Sequence, residues 1–328
     1  MVAAWGGFKS RGRLPGGHVN GAEGQTLRAF LAPRYWPLLA GLGLLRGLSW
    51  LPYPLLTGLG WGAGRLMQAL LHRRRHAAEV NLALCFPELD ESARRRLLRE
   101  HFTSLGIGVF DYALAMWASD RRVQRLVQLE GLENLLKPVR EGRGVILLSG
   151  HLPAIELTGR ALALQVPDMA AIYRPHKNPL IHELMRRGRS RSVRRQIPKR
   201  DMRQMLRLLK QGGVPVWYAS DQSFRGKGAI LVPFFGVPAM TNPALSQLAR
   251  IGDTVVVPYL TRRLPRARGY VARILPPLED FPSGDPAADA LRVHRLLEEH
   301  IREAPAQYYW IHRRFKDRPA ELGNPYEQ

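Results

Sequence analysis

Short apolar runs in the C-terminal two thirds of the chain constrain its fold more than any other feature. Five of them are predicted β-strands, residues 145–149, 169–173, 214–219, 254–260 and 269–275. Gly or Pro bounds most of these runs, and segments with helical patterning, such as 201–211, lie between them. Strands that are apolar throughout are typical of a parallel sheet covered by helices on both faces. The sequence therefore predicts an α/β fold.

Another apolar segment, residues 35–64, precedes this region and carries Arg46 as its only charge. At about 1.5 Å per helical residue it is long enough to cross a bilayer core of roughly 30 Å. Arg46, two prolines and many glycines argue against one straight span, whereas its tryptophans suit a headgroup interface. We expect a membrane anchor that either spans or lies in the interface. The alternative is a pair of buried core helices.

The next part of the chain has a helical pattern. Residues 65–86 are predicted to form one helix that ends before Pro87, and a second helix is predicted from Ser92 to Trp117. No period of 20–50 residues recurs, which argues against a repeat architecture.

The charge balance points to an anionic partner. The 328 residues include 49 Lys and Arg against 27 Asp and Glu, a net charge of +22, and all but seven of the cations are arginine. Such a chain is expected to meet nucleic acid, an anionic bilayer or a phosphorylated substrate. The arginine excess reflects either biased codon usage or bidentate recognition of phosphate and carboxylate. Cys85 is the single cysteine, which excludes a disulfide framework and Cys-rich metal sites.

The segment SGHLPAIE carries the strongest local signal for chemistry. A predicted strand ends at Ser149, a glycine turn follows, and His151 precedes Pro153, which suits the first position of a helix. Glu156 then falls in the first turn of that helix, and we expect its carboxylate to reach back to the imidazole. The pair is either a base with an orienting acid, able to activate a hydroxyl nucleophile, or a structural capping pair.

Polar clusters also follow two further predicted strands. Arg174 lies in a Tyr-Arg-Pro triplet after the second strand, and Asp221 and Gln222 follow the third. Ligand sites in open α/β sheets collect at the carboxyl ends of parallel strands. Between these clusters, residues 186–210 contain eleven cations and one acid, which predicts an anion-binding surface or a solvated helix face.

Four motifs in a fixed order give the chain a family resemblance. They are SGHLPAIE, YRPHKNPLIHELMRRGRSR, WYASDQSFRGKGAILVPFFGVPAMTN and APAQYYWIHRRFKDRP. From about residue 26 to about 319, the chain resembles the lipid A biosynthesis acyltransferases of Gram-negative bacteria. The resemblance implies an αβα core of the glycerolipid-acyltransferase type with an N-terminal membrane-anchoring helical segment. It implies a location at the cytoplasmic face of the inner membrane and no metal or organic cofactor.

The implied reaction moves a fatty acyl chain, lauroyl in our prediction, from acyl carrier protein to a hydroxyacyl chain of Kdo2-lipid IVA. The corresponding division is a basic leader at 1–25, a membrane anchor at 26–64 and an acyltransferase domain at 65–328. One alternative keeps the fold but uses another glycerolipid or glycolipid acceptor. Another is a basic non-enzyme that binds nucleic acid or membrane, which no nucleic-acid-binding signature supports.

The resemblance also assigns residues. Its H-x4-D/E motif falls on His151 and Glu156, the predicted catalytic pair, and its DQ pair on Asp221 and Gln222. Many members carry a further acid after that pair, where this chain has Ser223. The predicted substrate-binding residues are Arg174, Arg186, Arg189, Asp221, Gln222, Arg313 and Arg314. We expect Arg186 and Arg189 to hold acceptor phosphates, and the closing WIHRRF motif to bring Arg313 and Arg314 near the site.

Overall fold

A computed structural model describes residues 30–166, 168–199, 201–251 and 253–327. The predicted leader, residues 1–25, lies outside these ranges. The helices are α1 Trp36–Leu48, α2 Tyr53–Leu70, α3 His72–Cys85, α4 Glu91–Trp117, α5 Asp120–Leu126, α6 Glu133–Arg140, α7 Ile155–Gln165, α8 Pro179–Ser190, α9 Met202–Gln211, α10 Ala244–Ala249 and α11 Pro286–Glu303. The strands are β1 Val127–Glu130, β2 Gly144–Ser149, β3 Ala170–Tyr173, β4 Arg195–Pro198, β5 Pro215–Ala219, β6 Ile230–Phe234, β7 Val237–Thr241, β8 Thr254–Arg263 and β9 Tyr270–Ile274.

Seven strands form one sheet in the order β1-β9-β8-β2-β5-β3-β4. Neighbouring strands run parallel except β8 and β9, which are antiparallel. Strand β2 lies at the centre, and all six of its residues are buried. Ile146 and Leu148 face one hydrophobic core, whereas Val145 and Leu147 face the other. Side chains alternate between the faces of a strand, so an apolar strand needs cover on both sides. The α/β prediction is confirmed.

All five predicted strands are present, with ends shifted by at most a few residues, but four further strands were not predicted. Strands β1 and β4 lie at the two edges of the sheet and are partly exposed, so they lack the continuous apolar run that identified the others. Strands β6 and β7 form a separate antiparallel hairpin. Its turn residues, Phe235 and Gly236, both have positive φ, as the tight two-residue hairpin turn requires.

The N-terminal apolar segment forms two helices, α1 and α2. On α2, Gly60 and Gly64 are buried against α4, where a β-carbon at either position would collide with backbone atoms of α4. Small residues thus let the two helix backbones approach closely. The opposite face of α2 is open, since a β-carbon at Gly58 or Gly62 would meet nothing within 4 Å. Within the described ranges, no helix is both long and apolar enough to cross a membrane.

Helix boundaries in the N-terminal half agree only in part with the sequence prediction. The single helix predicted over 65–86 is interrupted at Leu71, which separates α2 from α3. The predicted start near Ser92 is confirmed to within one residue, because the Asp90 side chain caps α4 by accepting a hydrogen bond from the amide of Ala93. The proposed division at residue 64 falls inside α2, and the three-part division stays a prediction.

Candidate active site

Two strands that are neighbours in the sheet carry the candidate catalytic pair. In the β2–β5 ladder Ser149 lies opposite Ala219, and His151 and Asp221 each follow two residues later. The carboxyl ends of these parallel strands therefore bring the two side chains together. Nδ1 of His151 lies 2.5 Å from Oδ1 of Asp221, and the His151 backbone amide donates to Oδ2 at 2.7 Å. One carboxylate holds both the ring and the turn that carries it.

The predicted pairing of His151 with Glu156 is wrong. Helix α7 begins at Ile155 rather than at Pro153, and Glu156 lies in its first turn, where Arg189 of α8 forms a bidentate ion pair with its carboxylate. The Arg189 Nε donates to Glu156 Oε2 at 3.0 Å. The imidazole of His151 contacts the carboxylate of Asp221, in the loop after the adjacent strand β5, whereas Glu156 contacts the guanidinium of Arg189. The two sequence neighbours therefore belong to different contacts.

The electrostatics of the pair place a proton on Nδ1 of His151. Burial opposes ionisation of Asp221, but His151, through its charge and two hydrogen bonds, lowers the pKa of this carboxyl below its usual range. Burial also disfavours the imidazolium, but the charge of Asp221 and its hydrogen bond outweigh this and raise the pKa of His151. A carboxylate can only accept a hydrogen bond, so Nδ1 is the donor. Nε2 is then free to take a proton.

A cavity of about 240 Å³ opens beside the imidazole at the ends of β3, β4 and β5. The His151 side chain is 38% exposed, whereas that of Asp221 is 1% exposed. The apolar part of the cavity wall is formed by Ile172, Ile197, Met202, Met205, Tyr218 and Phe224. Its polar lining includes Arg174 and Gln222, as the sequence predicted, together with Lys199. The cavity therefore combines a base, cations and an apolar wall.

The predicted phosphate ligands Arg186 and Arg189 already have carboxylate partners. Arg186 donates two hydrogen bonds to Glu183, at 2.8 and 2.7 Å, and Glu183 also binds Arg187. The hydrogen bond from Arg186 is the main reason that the pKa of Glu183 falls to about 2. Arg189 is held by Glu156. The basic run 186–210 is therefore not one helix face but the end of α8, strand β4 and helix α9, with part of its charge neutralised internally.

Of the two closing arginines, neither lines the cavity. Arg314 is buried and donates to the Met240 carbonyl at 2.7 Å and to the Thr241 hydroxyl at 2.9 Å, so it ties the chain end to strand β7. Arg313 is exposed, and its guanidinium carbon lies 4.9 Å from the ring centroid of Tyr326. The expectation that these two guanidinium groups bind substrate finds no support in their contacts.

Sequence reasoning missed other residues of the same closing motif. Tyr308 is buried beside Asp221, and burial followed by the charge of that carboxylate raises its pKa. His312 accepts a hydrogen bond on Nε2 from the Ser223 amide at 3.2 Å, and burial lowers its pKa to about 4. Asp317 accepts a hydrogen bond from the Ser223 hydroxyl at 2.7 Å. The histidine of WIHRRF was the available signal, but the two arginines beside it carried the prediction because of their charge.

Comparisons with known proteins agree on one family. The family model for bacterial lipid A biosynthesis acyltransferase matches residues 24–317. The chain is 37% identical over 299 residues to the lipid A biosynthesis lauroyltransferase of Escherichia coli K12, covering 91% of this chain and 97% of that protein. It is 38% identical over 293 residues to the palmitoleoyltransferase of the same organism, covering 89% and 95%. The E. coli myristoyltransferase is 28% identical over 309 residues, covering 92% and 93%.

Proposed function

Because this chain belongs to the bacterial lipid A biosynthesis acyltransferases, we propose that it transfers a lauroyl chain from acyl carrier protein to a hydroxyacyl chain of Kdo2-lipid IVA. The observation that carries the proposal is the His151–Asp221 pair at the wall of a half-apolar cavity. The chain is an acyltransferase, so the non-enzymatic, nucleic-acid-binding alternative is discarded.

In the proposed step, Nε2 of His151 removes the proton of the acceptor hydroxyl while its oxygen attacks the thioester carbonyl. A carbon–oxygen bond forms, and the carbon–sulfur bond then breaks as the imidazolium returns the proton to the departing thiolate. General base catalysis of this kind contributes about 10²–10⁴-fold. Asp221 holds the ring in the required tautomer and stabilises the imidazolium. Arg174 and Lys199 are suited to the charge that develops on the carbonyl oxygen.

Glu156 has a different role in this mechanism from the one its sequence position suggested. Its ion pair with Arg189 joins α7, which follows the His151 turn, to α8, which follows β3 and Arg174. We assign both residues to positioning: they join the helix that follows the His151 turn to the helix that follows Arg174. Arg186, held by Glu183 within α8, supports the same helix.

The relatives' names support the acyl chain that we propose, and charge supports the proposed donor. A lauroyltransferase and a palmitoleoyltransferase are about equally similar to this chain, so palmitoleoyl is the alternative acyl group to test. Acyl carrier proteins are acidic, and exposed cations surround the cavity: Arg174 and Lys199 on its lining, and Arg203 and Arg207 on the adjoining helix α9. This charge supports docking of the carrier at the cavity mouth.

Attachment to the cytoplasmic face of the inner membrane is the second part of the proposal. Helices α1 and α2 expose large apolar side chains, among them Trp36, Leu44, Leu55, Trp61 and Leu66, which are 55–64% exposed. An exposed apolar patch of this kind marks a membrane or protein interaction site. The exposed tryptophans on these helices suit the headgroup level of a bilayer, so we propose attachment in the interface.

Purified protein incubated with acyl carrier proteins charged with lauroyl, palmitoleoyl or myristoyl groups tests the reaction. Kdo2-lipid IVA is the acceptor and mass spectrometry the readout. We expect one lauroyl addition, which His151→Ala abolishes and which His72→Ala, a matched substitution at an exposed position of α3, retains. Transfer only to a glycerolipid acceptor would contradict the proposed acceptor. A preference for another donor would contradict lauroyl alone, and full activity of His151→Ala would contradict the mechanism.

A further inference from the structure

A basic groove lies on the N-terminal helices, away from the residues that line the cavity beside His151. It consists of two adjoining depressions of about 380 and 340 Å³ between α2, α3 and α4, which share Arg65 and Arg99. Five arginines line it: Arg65, Arg75, Arg95, Arg96 and Arg99. We call this surface the α2–α4 groove.

The charge of the groove is not balanced by its own acids. Arg75 lies 3.4 Å from Glu79, and Arg95 pairs with Glu91. Within the residues that the structure describes, Arg65, Arg96 and Arg99 have no carboxylate within 4 Å, although Glu100 also lines the groove. Arg96 and Arg99 are one turn apart on α4, so their side chains lie on the same side of the helix. Three unpaired guanidinium groups facing one depression favour an anion with several acceptor oxygens.

The groove borders the apolar face proposed to enter the membrane. Arg65 lies over the ring of Trp61, one turn earlier on α2, with 6.0 Å between guanidinium carbon and ring centroid. Leu66 and Leu70 are exposed on the same helix, at 59% and 64%. Tryptophan at the headgroup level, with an arginine reaching from the apolar face toward water, is typical of side chains at a bilayer surface.

We infer that the α2–α4 groove binds the phosphate headgroup of an anionic bilayer phospholipid, whose acyl chains lie along Leu66 and Leu70. The charge recognises the phosphate, and the adjoining leucines recognise the hydrocarbon. The inference rests on the proposed membrane attachment through α1 and α2. It describes a site separate from the cavity: Gly108 is the part of α4 that packs on Pro153 near the base, and Arg99 lies nine residues earlier, about 14 Å along the helix axis.

Binding of the full-length protein to lipid vesicles tests the inference. One vesicle is phosphatidylcholine alone, and the other is an equal mixture of phosphatidylcholine and phosphatidylglycerol. The test variant combines Arg65→Gln, Arg96→Gln and Arg99→Gln. We expect it to lose about fivefold in affinity per arginine, about a hundredfold in all, on the mixed vesicles only, since a basic side chain near an anionic surface contributes about 1 kcal/mol.

A second triple variant controls for net charge. It combines Arg250→Gln, Arg292→Gln and Arg295→Gln, exposed residues near α10 and α11. If both triple variants lose affinity equally, the attraction is general and the groove is not a site. Weak binding of the wild type to neutral vesicles would contradict the proposed attachment instead, so the two failures are distinguishable.

The acceptor is the other phosphorylated lipid that could occupy the groove, and a kinetic measurement separates it from the bilayer lipid. In neutral detergent without phospholipid, we expect the groove variant to keep the wild-type KM for Kdo2-lipid IVA. A raised KM there would overturn the inference and make the groove part of the acceptor site. Circular dichroism of each variant verifies that it is folded.

Discussion

Replacement of Asp221 by Asn tests the central claim about the site with the smallest possible change. Both carboxylate oxygens accept hydrogen bonds, Oδ1 from the His151 ring and Oδ2 from the His151 backbone amide. An amide of the same shape has only one oxygen, and the backbone amide is a fixed donor that requires it. The NH2 group of Asn is then turned toward Nδ1 and donates to it. The imidazole proton moves to Nε2, the atom that must accept the proton of the acceptor hydroxyl.

The expected loss follows from removing the base in its working tautomer. General base catalysis is worth about 10²–10⁴-fold, which corresponds to about 2.7–5.5 kcal/mol in the activation free energy. We therefore expect Asp221→Asn to lower kcat by about 10²–10⁴-fold. Acceptor KM should change little, because the carboxylate is buried and does not line the cavity.

The pH profile supplies a readout that structural damage alone would not give. In the wild type, Asp221 raises the pKa of His151 above its ordinary value of 6.5. The base works as neutral imidazole, so kcat/KM should fall as pH drops below that raised pKa. Without the carboxylate, burial lowers the pKa of His151. The acid limb of the residual activity should accordingly move to lower pH in Asp221→Asn.

Single-turnover transfer followed by mass spectrometry, over a series of pH values, measures both effects. Asp253→Asn is the matched control, since its side chain is 73% exposed in a surface pair with Arg143. Glu156→Gln separates the two possible partners of the histidine: it should leave the acid limb in place, because Glu156 contacts Arg189. A shift of the limb in Glu156→Gln but not in Asp221→Asn would refute the assignment. So would an Asp221→Asn enzyme with kcat within a few-fold of wild type.

Three further predictions concern stability. Gly64→Ala should destabilise the fold by about 1–3 kcal/mol, because its methyl group overpacks against α4. Gly62→Ala, on the open face, should stabilise α2 by about 0.5–1 kcal/mol. Thermal denaturation checks both: the melting temperature should fall for the first variant and rise for the second. Arg263→Met should lower the free energy of unfolding by about 3–5 kcal/mol. The substitution leaves the buried carboxylate of Asp111 without the guanidinium that donates to it at 2.6 Å. A chemical denaturation midpoint close to that of the wild type would contradict this prediction. The pKa of Glu183 is about 2 against an ordinary 4.5, so its contribution to stability is present above pH 4.5 and lost as pH falls toward 2. Glu183→Gln should therefore weaken the dependence of the unfolding free energy on pH in this range. An acid unfolding curve with the same pH dependence as the wild type would refute the prediction.

The sequence by itself determined the central strands, the fold class and the position of His151, the proposed base. Buried parallel strands must be apolar on both faces, so their runs are visible without any knowledge of neighbours. The Gly150 turn put His151 at a strand end, where sites of such sheets lie. The ordered motifs determined the family. Edge strands β1 and β4 were not predicted, because partly exposed strands need no continuous apolar run.

Tertiary structure alone decided which carboxylate contacts His151. Glu156 is five residues from His151 in the chain and Asp221 is seventy. The strand order nevertheless places Asp221 against the imidazole, whereas Glu156 pairs with Arg189 of α8. Pairing of Ser149 with Ala219 sets equal offsets on adjacent strands, and nothing local in either segment encodes that adjacency.

How much of the chain's positive charge remains available was likewise a matter of the folded structure. Arginines of the run 186–210 form ion pairs with Glu183, Glu156 and Asp168. The composition gives the number of acids but not which arginine each of them contacts. Conversely, the α2–α4 groove collects arginines from separate helices that no single stretch of sequence displays as a site. Patterning along a chain reports what each segment must bury. Contacts between segments depend on packing in three dimensions, and the chemistry of this protein is made of such contacts.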